Sequence, residues 1–280
     1  MGTSTLLQPT RRDFHDWICQ CGLKKRRPNG LFKARILQKP PENTSHASVY
    51  FSGRIVADEV DFDLYRSWLH LCATSHSTVC KEESMDAVQL RVRLELGARL
   101  IDVKSSSVIV APPHEARYVA LSYVWGKTQQ LLLNSNTVER LTSRDGLSED
   151  HSDISKTIID AMKVTSLLGF SYLWIDALCI KQDDPNNKSC QIANMDRIYS
   201  CASLIIVSTD PDPSHGIPGF RQTSRSSKQA VCTFPEVQLV SALPVLSQAL
   251  WSSVWDGRGW TLQEKVLSKR LLIFTEFQTF

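Results

Sequence analysis

The run Leu204-Ile205-Ile206-Val207 has no polar side at all. A strand with one wet face alternates polar and apolar residues, so an unbroken apolar run belongs in a sheet covered on both faces. Comparable runs stand at 118–123, 172–175 and 271–274. Helical stripes separate them. Residues 156–168 put Ile158, Ala161, Met162, Thr165 and Leu168 on one side, and Gly169 then stops that helix as a left-handed cap. Residues 188–202 place Ile192, Met195, Ile198, Tyr199 and Ala202 on a buried face, and 260–267 suit another helix. Strand, helix, strand, repeated, implies parallel pairing through right-handed crossovers. The expected fold class is therefore α/β, a mostly parallel sheet with flanking helices.

Sheets of this kind take ligands at the carboxyl ends of their strands. Those ends are 122–126, 176–182 and 208–210. Asp210-Pro211-Asp212-Pro213 breaks the third strand, and 211–257, rich in Ser, Pro and Gln, reads as a long insertion. Upstream, strand-like runs at 99–103 and 108–111 flank a turn at 104–107, an N-terminal hairpin leading into the main domain. Residues 61–80 suggest a helix carrying Leu64, Trp68, Leu71 and Cys72. The chain thus divides into a poorly defined 1–60, a helix and hairpin extension at 61–117, and a main domain at 118–280. Within 1–60, Lys24-Lys25-Arg26-Arg27 runs into Pro28-Asn29-Gly30. A solvated loop is the better reading than a nuclear-import signal.

Composition excludes several classes. With 42% hydrophobic and 22% charged residues over 280 positions, the chain can build an ordinary core. A net charge of +3 makes no case for nucleic acid as a specific partner. No apolar run approaches the ~20 residues of a membrane span. The start lacks an apolar signal core, and Leu6 stands where a myristoylation motif at Gly2 wants Ser or Thr. The expected location is the cytoplasm, with the nucleus as second choice. Eight scattered cysteines, some inside apolar segments (Cys179, Cys201), read as reduced thiols.

Three short patterns have simple alternatives. Gly126-Lys127-Thr128 is not a phosphate loop, because Leu121 occupies the place of the required glycine. Cys179 has no histidine nearby in sequence and reads as an inert thiol. Cys72, His76 and Cys80 are spaced four apart, so one helix face could hold zinc with His70 as fourth ligand. Packing of small side chains is the better account of that spacing, so the expected metal content is none.

Three longer blocks carry a resemblance. The first is Tyr118-Val119-Ala120-Leu121-Ser122-Tyr123-Val124-Trp125-Gly126. The second joins Lys156-Thr157-Ile158-Ile159-Asp160-Ala161 to Tyr172-Leu173-Trp174-Ile175-Asp176-Ala177-Leu178-Cys179-Ile180 and Gln182-Asp183-Asp184. It continues with Gln191, Met195, Ile198-Tyr199 and Ala202. The third is Arg258-Gly259-Trp260-Thr261-Leu262-Gln263-Glu264, followed by Leu267-Ser268 and Arg270. In order and spacing over about residues 99–280 the chain resembles the fungal heterokaryon-incompatibility (HET) domain family. It departs from the family at Ser155 (often proline), at Lys181 (often Asn or Asp), and at Asn186-Asn187, where an acidic residue is usual.

HET domains are in turn similar to TIR domains, flavodoxin-like signalling modules, some of which cleave the nicotinamide–ribose bond of NAD. They use a glutamate a few residues past a tryptophan. That resemblance implies a flavodoxin-like or TIR-like sheet, Glu264 as the catalytic carboxylate, and NAD as substrate with no cofactor required. The ligand-binding candidates are Ser122, Tyr123, Trp125, Gly126, Asp176, Gln182, Asp183, Arg258, Trp260 and Gln263. The plain alternatives are an ion pair of Glu264 with Arg258 or Arg270, a capping role for Asp176, and core packing for the tryptophans. The implied function is a self/non-self recognition module that triggers cell death. Its partners would be further copies of itself or a sensor protein. A non-enzymatic self-associating adaptor is the alternative.

Overall fold

The computed structural model describes residues 34–38, 55–75, 97–112, 117–127, 129–221, 223–225, 228–233 and 237–280. The chain forms two compact units, one of Met1–Val56 with Ser227–Pro244, the other of Ala57–Ser226 with Val245–Phe280. In the smaller unit Ala34–Gln38 pairs antiparallel with Val237–Ser241, which pairs in turn with Val231–Thr233. Part of the stretch read as an insertion thus contributes strands to this unit.

The larger unit is built on a mixed sheet. Its strands are β1 (Arg99–Asp102), β2 (Ser107–Val110), β3 (Tyr118–Ser122), β4 (Tyr172–Trp174), β5 (Leu204–Ser208) and β6 (Leu271–Phe274). They lie in the spatial order β2-β1-β4-β3-β5-β6. Three of the five pairings are parallel: β3 with β4, β3 with β5, and β5 with β6. The four parallel strands therefore stand second, first, third, fourth in chain order, the doubly wound arrangement of flavodoxin-like sheets. The hairpin read as an extension is hydrogen-bonded into this same sheet, since β1 runs antiparallel to β4. Every residue of β3 and β5 is buried, as their unbroken apolar character requires.

The helices of this unit are α1 (Phe62–Ser75), α2 (Val138–Thr142), α3 (Lys156–Leu167), α4 (Asp176–Cys179), α5 (Pro185–Ala193), α6 (Met195–Cys201), α7 (Leu246–Trp251) and α8 (Thr261–Leu267). The expected stop of α3 is present. Gly169 has φ +87°, its N–H bonds the Ser166 carbonyl, and the N–H of Phe170 bonds the Thr165 carbonyl, both at 3.0 Å. Only a residue without Cβ takes that conformation cheaply.

Two helices differ from expectation. The helix read across 188–202 is two, broken at Asn194, and it starts earlier. Asp184 accepts from the N–H groups of Asn186 and Asn187 at 3.1 and 3.0 Å, with Pro185 following it, so the cap lies ahead of Lys188. Ile192 is 39% exposed rather than buried. On α1 the buried residue is Tyr65, which meets Phe274 edge-on at 6.0 Å, whereas Trp68 and Leu71 are exposed. Among the described residues no helix is long and apolar enough to cross a membrane.

Candidate functional site

Helices α6 and α8 pack on each other, and β3 reaches them through Tyr118, which bonds α6, and Ser122, which bonds α8. Tyr118 donates its hydroxyl to the Ile198 carbonyl at 2.5 Å, and Trp174 meets Tyr199 edge-on at 5.5 Å. These contacts fix α6 over the ends of β3 and β4. Helix α8 is fixed by Thr261, whose hydroxyl donates to the Trp255 carbonyl at 2.7 Å. That anchoring turns Glu264, in the first turn of α8, inward; it is only 3% exposed.

The Glu264 carboxylate meets a directional chain of donors. The indole N–H of Trp255 reaches the Ser122 hydroxyl oxygen at 2.6 Å. An indole can only donate, so the Ser122 oxygen is the acceptor there and its own proton is given to Glu264 Oε2. Tyr199 faces the same carboxylate. Burial, followed by the charges of Glu264 and Asp176, pushes its phenol well above the ordinary range and keeps it a neutral donor. Among the described residues Glu264 is thus held by neutral groups and makes no salt bridge to Arg258.

A second carboxylate, Asp176, opens α4 at the end of β4. It accepts the Trp125 indole N–H at 3.2 Å and the Ala177 N–H at 2.8 Å. Loss of solvent raises its pKa to about 6. The Ala177 bond and the Arg258 charge oppose that rise, and the Glu264 charge adds to it. Gln182 braces the loop from beneath, donating to the carbonyls of Asp176 and Ile180 at 3.0 and 3.2 Å. Arg258 donates to the Tyr123 carbonyl.

Trp125, Asp176, Gln182, Arg258, Trp260 and Glu264 line one cleft of about 150 Å³. The other candidates stand outside it. Ser122 lies behind Glu264, and Tyr123 offers only its carbonyl to Arg258 while its phenol meets Gln130 at 3.4 Å. Gly126 shapes the loop: it has φ +68°, and a Cβ there would come within 2.7 Å of Pro213. Asp183 is exposed and accepts the Ser135 N–H at 2.7 Å. Gln263 faces solvent.

Sequence reasoning missed Trp255, Tyr199, Lys188, Ile192, Met195 and Ile180. The last four line the cleft. Lys188 and Ile192 stand one turn apart on α5, a helical spacing that is the signal that could have found them, and Met195 opens α6 just beyond the break. Trp255 carries none, because it sits in the Ser-rich stretch read as an insertion. Of the zinc candidates, His76 and Cys80 lie outside the described residues. Cys72 accepts the Arg270 Nε–H at 3.3 Å, and among the described residues no group of three or more metal-ligating side chains occurs. The Cys179 thiol is buried and pushed up to about 12.

The chemistry available is that of a carboxylate pair beside two tryptophans. A buried, oriented carboxylate stabilises positive charge developing on a bound sugar.

Comparison with known proteins agrees with the sequence blocks. The family described as Heterokaryon incompatibility protein (HET) matches residues 118–264. Heterokaryon incompatibility protein 6, OR allele, from Neurospora crassa is 30% identical over 112 residues, covering 36% of this chain and 15% of that protein. The chain therefore spans only a small part of that relative's length. No solved structure matches.

Proposed function

The chain belongs to the heterokaryon incompatibility (HET) family, and from that premise we propose that it acts in heterokaryon incompatibility and triggers cell death by cleaving the nicotinamide–ribose bond of NAD. The observation that carries this reading is the buried Glu264 carboxylate, aligned by Ser122 and Trp255, in the wall of a cleft that also holds Asp176, Trp125 and Trp260. The resemblance to TIR domains supplies the reaction; the geometry supports it.

Nicotinamide in NAD is already cationic, so it leaves with the electron pair of the bond and needs no proton. Positive charge then builds on the ribose, and the buried carboxylate of Glu264 stabilises it. Water adds its oxygen to the ribose carbon and releases one proton. The products are nicotinamide, ADP-ribose and that proton. Trp125 and Trp260 offer flat apolar faces for the ring or the ribose. The cytoplasm, where NAD is plentiful, is the compartment we assign.

Purified protein incubated with NAD should release free nicotinamide. Glu264→Gln, which keeps the shape and removes the charge, should slow release by about 10²–10³-fold. Equal release by the wild type and this variant would overturn the assignment of Glu264, and no release by the wild type would overturn the reaction.

A second reading, a self-associating adaptor without catalysis, draws on one feature. Leu262 and Val266 stand one turn apart on α8 and are 67% and 70% exposed, an apolar face left open among the described residues. Killing that survives Glu264→Gln but not Leu262→Asp would favour it.

A further inference from the structure

We infer that Lys188 is the phosphate-recognition residue of the cleft, so that its ligand is a nucleotide and not an uncharged nucleoside. The inference rests on the nicotinamide–ribose reading of the cleft and names what that site requires at its other end.

Lys188 lines the cleft from α5 and is exposed. Among the described residues its ammonium makes no hydrogen bond and no salt bridge. Its neighbours in charge are differently placed. Arg258 is tied to the Tyr123 carbonyl, and Lys265 is paired with Asp256 at 2.6 Å. Lys188 therefore faces the cleft with its charge uncommitted.

The cleft needs that charge. Asp176 and Glu264 both line it, and Arg258 alone would leave a site that repels any anion. NAD carries both signs, a cationic nicotinamide ring and an anionic diphosphate. The carboxylates of Asp176 and Glu264 suit the first, and an ammonium on α5 suits the second. A lysine binds phosphate as a point charge on a flexible stem, which fits a residue at an exposed edge. Ile192, one turn further along α5, and Met195, at the start of α6, are apolar and leave Lys188 as the polar anchor of that wall.

The test uses three substrates with the same scissile bond: NAD, nicotinamide mononucleotide and nicotinamide riboside, which bears no phosphate. Lys188→Ala should raise KM for NAD about tenfold with kcat little changed, Lys188→Glu more, and Lys188→Arg should restore it. The shift with nicotinamide riboside should stay below about twofold. Added salt should weaken NAD binding in the wild type and much less in Lys188→Ala. Equal KM shifts with NAD and nicotinamide riboside would overturn the inference. Should the wild type release no nicotinamide, the reaction fails separately, and binding decides about Lys188. NAD titrated against the protein's intrinsic tryptophan fluorescence should bind the wild type about tenfold more tightly than Lys188→Glu. No preference between the two proteins, or no NAD binding at all, would overturn it.

Discussion

The two walls of the cleft are built on opposite terms. The inner wall, Glu264 with Ser122 and Trp255 packed behind it outside the cleft, is closed off from water, and each polar atom in its chain of hydrogen bonds has a partner. The outer wall, Trp260, Lys188 and Ile192, is open, and Trp260 is 50% exposed although it stands only five residues from Trp255. Removing an inner residue leaves a cavity or an unmet donor; removing an outer one leaves water where there was already water. The inner wall should therefore report on stability and the outer wall on the ligand. Substitutions in each wall can break that division or sharpen it.

The largest effect is expected at Trp255. It is fully buried, so Trp255→Ala should cost about 3–5 kcal/mol, read as a shift of the urea midpoint. An unchanged midpoint would mean that the inner wall is not a core element at all. Ser122→Ala comes next. It leaves the Trp255 N–H and a Glu264 oxygen unmet at little change in volume, which should cost about 1–3 kcal/mol. Ser122→Thr keeps the hydroxyl and should recover part of that loss.

The same residues show which features a sequence makes legible and which it hides. The apolar runs of β3 and β5 are legible because a strand covered on both faces carries no polar alternation. Gly169 is legible because its left-handed cap has a chemical signature. The split between α5 and α6 is not, since the apolar stripe runs through Asn194 without a breaker and only the Asp184 cap shifts the start. The strand-end carboxylate Asp176 and the helix carboxylate Glu264 follow from position and resemblance. What aligns Glu264 is Ser122, held in turn by Trp255, and a hydrogen bond across 133 residues, such as that from Trp255 to Ser122, leaves no local trace. Gln263 shows the converse: its place in the block that carries the family resemblance implies a ligand contact, but the helix turns it to solvent.

Asp176 stands between the walls, and its pKa of about 6 gives a pH signature. Because the folded value lies above the unfolded one, near 3.8, protonation favours the folded state. Stability from this group is fully present below about pH 4 and is lost as pH rises through about 6. Asp176→Asn removes the charge that is costly to bury. It should raise stability at pH 8 by about 1–2 kcal/mol and flatten the profile between about pH 4 and 6. Thermal melts of both proteins across that range provide the check. A profile as steep in the variant as in the wild type would place the titration elsewhere.

The smallest effect on stability is expected at Trp260, and it is the sharpest test of the division. Half its surface is already wet, and its indole makes no hydrogen bond among the described residues. Trp260→Ala should therefore move the urea midpoint by no more than about 0.5 kcal/mol, against several for Trp255. Yet Trp260 lines the cleft, so the same variant should raise KM for NAD several-fold, because an aromatic face contributes about 1 kcal/mol to holding a ring. A variant that is destabilised as strongly as Trp255→Ala would show that the outer wall is part of the core. One that binds NAD as well as the wild type would show that the ring sits elsewhere, against Trp125.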